Sequence, residues 1–114
     1  MKKSVWLTYD LGVQGDYKSL YAWLDDHQAV ECGDGVSFFQ YEYNEKKPFK
    51  EQLREDLKSK VKFESGNRIY LVRQESEEEG KKKIKGSFLI GKRKANPWEG
   101  YGEKTDNTEE VGDE

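Results

Sequence analysis

Val5-Trp6-Leu7-Thr8-Tyr9-Asp10-Leu11-Gly12 decides how the rest of the chain is read. Val5, Leu7, Tyr9 and Leu11 alternate with Trp6, Thr8 and Asp10, the period-two signature of a strand with both faces partly covered. Gly12 and Gly15 then break the chain, and Asp16 is a good N-cap. Tyr17, Leu20, Tyr21 and Leu24 follow at i, i+3, i+4 and i+7, so the period switches to that of a helix, from about Asp16 to Gln28.

Downstream the alternation returns. Ala29 to Cys32 is a short apolar-alternating piece, Gly33-Asp34-Gly35 is a tight-turn signal, and Val36 to Tyr43 is the most strand-like segment of the chain, so together they read as a hairpin. Pro48 suits the first turn of a second helix, with Phe49, Leu53, Leu57 and Val61 down one stripe and charges opposite, ending before Gly66. Arg68 to Arg73 is a fourth strand, Glu75 to Lys83 a charged loop, and Ile84 to Gly91 a fifth strand. This order predicts an α+β fold: a ferredoxin-like βαββαβ sandwich with an additional C-terminal strand, an antiparallel sheet carrying both helices on one face. If Val5, Leu7 and Tyr9 point at the helices, Trp6, Thr8 and Asp10 occupy the opposite, open face. A face that aromatic is too apolar to leave wet, which predicts a homodimer.

Composition bounds the classes. The chain has 114 residues, 33% hydrophobic and 38% charged, with three Trp, seven Tyr and five Phe. Its mean hydropathy of -1.10 leans toward disorder, but the aromatics suffice for a core. One domain over residues 1–102 is expected, since a chain this short closes only one core. No apolar run reaches the ~18 residues of a membrane span and no signal-like stretch opens the chain, so a cytoplasmic protein is expected. One cysteine, Cys32, excludes an internal disulfide framework and a multi-thiolate zinc site, and one histidine, His27, makes a catalytic triad improbable. Cys32 itself reads as a buried small hydrophobe, and His27 as a structural helix-end residue.

Charge is unevenly placed. From Glu103 to Glu114 six carboxylates face Lys104 alone, and this acidic tail (103–114) is expected to be disordered. Without it the body carries 19 basic and 17 acidic residues, so the overall -3 does not exclude a nucleic-acid partner. Lys81, Lys82, Lys83, Lys85, Lys92, Arg93 and Lys94 occur with no acid among them, interleaved with Phe88 and followed by Pro97-Trp98-Glu99-Gly100-Tyr101. Such a run suits phosphate contact and base stacking. The bland alternative is an edge strand protected by lysines and neutralised by Glu75, Glu77, Glu78 and Glu79 across the hairpin. Trp98 and Tyr101 read as an anchor that docks the C-terminal segment on a sheet of the same or a partner chain, and with Trp6 of the open face they are the expected dimer-interface residues.

Asp10 is the leading candidate for chemistry, because a strand end can aim a carboxylate at a cleft or a symmetry mate. The alternative is that it caps the Gly12 loop. One carboxylate is too little for a metal nuclease, but two-fold symmetry supplies two. Asp25, Asp26, Glu31 and Asp34 are further carboxylates within reach of a cluster.

The first strand, ending in Tyr9-Asp10, resembles that of the small CRISPR-associated adaptation protein, the dimeric ferredoxin-like partner of the spacer integrase. Val36-Ser37-Phe38-Phe39-Gln40-Tyr41-Glu42 is similar to its third strand, and Arg68-Ile69-Tyr70-Leu71-Val72 to its fourth. The resemblance implies a homodimer in which two Asp10 side chains meet across the interface around a Mg²⁺ ion, as in family members that are metal-dependent endonucleases. It also implies that the fifth strand, Ile84 to Gly91, can pair with the other subunit's sheet. VapD-like ribonuclease toxins share that fold and make an RNA-cleaving activity the neighbouring expectation. The loop Leu11-Gly12-Val13-Gln14-Gly15, the Phe38-Phe39-Gln40 pattern and the segment from Lys92 to Tyr101 depart from the family. Two functions follow: a nucleic-acid-associated dimer, RNA or DNA, in which Asp10 is catalytic and metal-binding, or a non-catalytic protein-interaction or oligomerisation module.

Overall fold

The computed structural model describes residues 1–76 and 80–103. The expected disordered tail lies, from Lys104 on, outside the described residues, as do Glu77, Glu78 and Glu79. The elements run β1 (Lys2–Asp10), α1 (Tyr17–Asp26), β2 (Val30–Gly33), β3 (Val36–Glu42), α2 (Phe49–Lys60), β4 (Arg68–Ser76) and β5 (Lys82–Ile90). The strands form one five-stranded sheet in the order β2-β3-β1-β4-β5, and every neighbouring pair is antiparallel. The fold is α+β.

The period-two reading of β1 sets the layers. Val5 and Leu7 are fully buried and join Phe39, Tyr41, Ile69, Leu71 and Leu89 of the other strands in one core with Leu20, Trp23 and Leu24 of α1 and Leu53 and Leu57 of α2. Both helices therefore cover the same face of the sheet. Each such aliphatic or aromatic side chain contributes ~1.5–3 kcal/mol by leaving water. The residues between them in sequence, Trp6, Thr8, Phe38, Tyr70, Val72 and Phe88, stand on the other face, half-buried or exposed.

Capping chemistry corrects several boundaries. Asp16 does cap α1: its Oδ1 accepts the Ser19 N–H at 3.2 Å, while Oδ2 accepts the Lys62 N–H at 3.0 Å and ties the helix start to the α2–β4 loop. The helix ends at Asp26, two residues before the expected Gln28. Gln28 takes a left-handed φ of 57°, and the N–H groups of Gln28 and Ala29 bond back to the Asp25 and Leu24 carbonyls at 3.0 Å each. That is a Schellman-type stop with glutamine where glycine is usual. Pro48 is the N-cap of α2 and lies outside its first turn. The charged loop expected from Glu75 to Lys83 is shorter at both ends, since Glu75 and Ser76 belong to β4 and Lys82 and Lys83 to β5. Cys32 is exposed and unpaired rather than buried, because β2 is a short edge strand whose residues Val30, Glu31 and Cys32 are all open to solvent.

Candidate functional site

The open face is built in cross-strand rows. Val30, Phe38, Trp6, Val72 and Gly86 are successive partners across all five strands, and beside them run Val36, Thr8, Tyr70 and Phe88. Trp6 packs on Phe38 at 4.8 Å between ring centroids and remains 41% exposed. Tyr70 and Phe88 meet edge to face at 4.9 Å. Gly86 makes room for that pair, since a Cβ there would fall on the Tyr70 hydroxyl and ring.

Two guanidiniums lie on this aromatic patch. Arg93 sits over Phe88 and Tyr70, at 5.6 and 5.9 Å from their centroids, and Arg68 over Phe88 at 6.0 Å. The left-handed Gly91, φ 79°, ends β5 and lets the chain turn so that Arg93 comes back over the sheet; a Cβ at this position would collide with the Asn67 carbonyl. Asn67 is itself fixed, donating to the Leu11 carbonyl at 3.1 Å and accepting the Glu64 N–H at 2.8 Å. Arg68 Nε is buried without a hydrogen-bond partner among the described residues. Buried donors are rarely left so.

These groups line a groove of about 560 Å³ together with Thr8, Asp10, Asp34 and Val36. Guanidiniums stacked on aromatic rings attract anions while keeping a flat apolar surface beside them. The carboxylates of Asp10 and Asp34 in the groove's lining are acceptors for N–H groups, such as the exocyclic amines of bases.

Asp10 is exposed, ends β1, and accepts the Gly12 N–H on Oδ1 at 3.0 Å, the loop-capping bond. Its partner in the β1–β4 register is Arg68. On a single chain these donors do not suit Mg²⁺. A divalent ion wants several oxygens, yet one Asp10 oxygen is engaged and Arg68 and Arg93 place positive charge in the same groove. Among the described residues no group of three or more His, Cys, Asp or Glu side chains is placed to hold a metal.

The other sequence candidates separate. Asp25, Glu31 and Asp34 line a cleft of about 390 Å³ with Tyr9 and Tyr21, away from Asp26. Burial, then the neighbouring Tyr21 and Glu31, raises the Tyr9 hydroxyl above its usual range. His27 is the C-cap of α1, its ring stacked 3.8 Å from that of Trp23 and its Nδ1 2.7 Å from the Trp23 carbonyl, which makes that nitrogen the donor. Lys81, Lys82, Lys83, Lys85, Lys92, Arg93 and Lys94 are all exposed along the β5 edge and the turn after it. Glu75 stands opposite Lys83 in the β4–β5 register while its carboxylate takes Lys3 at 2.9 Å and Arg73 at 2.7 Å; the other acids of the bland reading, Glu77, Glu78 and Glu79, lie outside the described residues. Trp98 and Tyr101 are 68% and 89% exposed, so neither docks on its own sheet.

Sequence reasoning missed Arg68 and Tyr70 as site residues. The signal was present: the alternation that buries Ile69 and Leu71 turns Arg68 and Tyr70 to the face of Trp6 and Thr8. It also missed Asp56, which accepts from Tyr41 at 2.8 Å and from Trp23 Nε1 at 3.3 Å and joins both helices to β3. No protein-family profile, curated protein or solved structure matches the chain. The likeness of three strands to the CRISPR-associated adaptation protein therefore stands on those residues alone.

Proposed function

We propose that the protein is nucleic-acid-associated and lays a single strand of RNA or DNA across the open face of its sheet. The order β2-β3-β1-β4, with α1 and α2 as the two crossovers, supports reading the scaffold as ferredoxin-like with β5 added beside β4. The observation that carries the function is the pair Arg68 and Arg93 over Phe88 and Tyr70, on the same sheet face as exposed Trp6. Bases stack on such rings in a sequence-tolerant way, and guanidiniums add phosphate contact. Lysines along β5 supply the sequence-independent attraction.

The test is fluorescence anisotropy with labelled single-stranded oligonucleotides over a range of salt. Phe88→Ala and Arg93→Gln are each expected to weaken binding about tenfold, in line with ~1–3 kcal/mol per stacked base. Absence of binding at low salt, or variants that bind as well as wild type, would overturn the reading.

A second reading, a homodimer through the same face, is favoured by the exposure of Trp6, Trp98 and Tyr101. It predicts a dimer in light scattering that Trp6→Ser dissociates and that excess oligonucleotide displaces. Incubating the same oligonucleotides with Mg²⁺ checks the nuclease that the resemblance implies: cleavage lost in Asp10→Ala would establish it, and no cleavage leaves a binding protein.

A further inference from the structure

On the other side of β5 from Arg93 lies a groove of about 410 Å³ that the nucleic-acid reading has not used. It is lined by Lys50 of α2, Arg73 of β4 and the β5 stretch from Lys83 to Ser87, Ile84 included. Arg73 and Lys85 are direct cross-strand partners on the helix-side face. Like charges placed directly opposite in an antiparallel ladder are destabilising, and here Lys50 of α2 joins them at the same groove. Compensation is partial. Arg73 Nε reaches Glu75 at 2.7 Å, which Lys3 shares, and Arg54 reaches Glu51 at 2.8 Å. Arg73 Nη1 also donates to Ser87 Oγ at 3.4 Å, which holds the guanidinium at the groove wall.

We propose that this groove binds phosphate, and that it grips the backbone of the strand whose bases lie on the open face. The clustering of cations on three elements is what an anionic ligand relieves. The two grooves flank one edge strand, so a chain leaving the Arg93 patch over β5 carries its phosphates into the second groove. Burial, followed by repulsion from Arg54 and Arg73, outweighs the attraction of Glu51 and holds the Lys50 ammonium below its ordinary pKa, consistent with a site where positive charge is in excess. The backbone role rests on the open-face reading; phosphate binding itself does not.

Two measurements on the full chain separate these. In an amide NMR titration with inorganic pyrophosphate, saturable shifts are expected at Lys50, Gly86 and Ser87 and are lost in the double variant Lys50→Gln/Lys85→Gln. No saturable shift there, or shifts that persist in the variant, overturns the site. Thermal unfolding guards against misfolding of the variant, which is expected to melt no lower than wild type, having lost like-charge repulsion, and to lose the rise in Tm that pyrophosphate gives wild type. With single-stranded oligonucleotides, the double variant is expected to lower the slope of log affinity against log salt by about 1.4, the contribution of ~2 phosphates. An unchanged slope in a variant that has lost the pyrophosphate shifts of wild type would overturn the backbone role and assign the groove to free polyphosphates. If wild type binds pyrophosphate but no oligonucleotide, the open-face reading fails and the backbone role with it.

Discussion

At the scale of single residues, Asp10 shows how far an atom's surroundings outrun its position in sequence. Strand-end placement made it a candidate for catalysis and for capping the Gly12 loop alike, and its Oδ1 accepts the Gly12 N–H. Asp10→Ala is therefore expected to cost about 1 kcal/mol in urea unfolding, the ordinary worth of a carboxylate capping bond. A variant as stable as wild type would show that the cap does not matter. Cys32 makes the same point in reverse. Its side chain is compatible with a core, but β2 is too short and too peripheral to bury it. Asp16 was legible as a cap from its place before an apolar helical stripe; its second bond, to the Lys62 N–H some 46 residues away, was not.

At the scale of elements, β5 decides the most. Its register against β4 places Phe88 opposite Tyr70 and Gly86 opposite Val72, and Gly86 is where the Tyr70 ring lies. Gly86→Ala puts a methyl against the far end of a flexible ring rather than against backbone, so its stability is expected to change by less than about 1 kcal/mol. The ring must move, however, and oligonucleotide affinity is expected to fall about tenfold, the worth of about one stacked base. A loss of stability without loss of affinity would mean that Tyr70 packs the sheet and nothing more. The strand itself could be read from Ile84 to Gly91 because Ile84, Phe88 and Ile90 alternate; its start at Lys82 could not. Lysines have no strong β preference, and only hydrogen bonding to the Glu75–Ser76 end of β4 extends it.

At the scale of the whole molecule, titration bounds the stable range at both ends. Hydrogen bonds from the Lys62 and Ser19 N–H groups hold the Asp16 carboxyl below its ordinary 3.8. At Glu75, burial pushes upward, but the hydrogen bonds from Lys3 and Arg73 outweigh it and leave the carboxyl below 4.5. A depressed carboxyl contributes stability above its unfolded pKa and loses it as pH falls through the folded value. Tyr41, raised by burial and by its bond to Asp56, and Tyr9, raised by burial and its neighbours, act oppositely. Their contribution is full below about 10 and lost as pH climbs through the folded values. Urea midpoints are thus expected to stay level from about pH 5 to 9 and to fall on either side. Glu75→Gln should shallow the acid limb, and Tyr41→Phe the alkaline one. A midpoint that kept rising below pH 4 would contradict the acid assignment.

The chain's own alternation and punctuation determined the element order, the two faces of β1 and the stripe of α2, because periods of two and 3.6 are local properties that each segment carries alone. Which edge β5 joins, that Arg93 returns over Tyr70 and Phe88, and that Arg73 and Lys85 oppose each other under Lys50 were decided only in three dimensions. Those relations depend on register between segments far apart in sequence, which backbone hydrogen bonding and core packing select together.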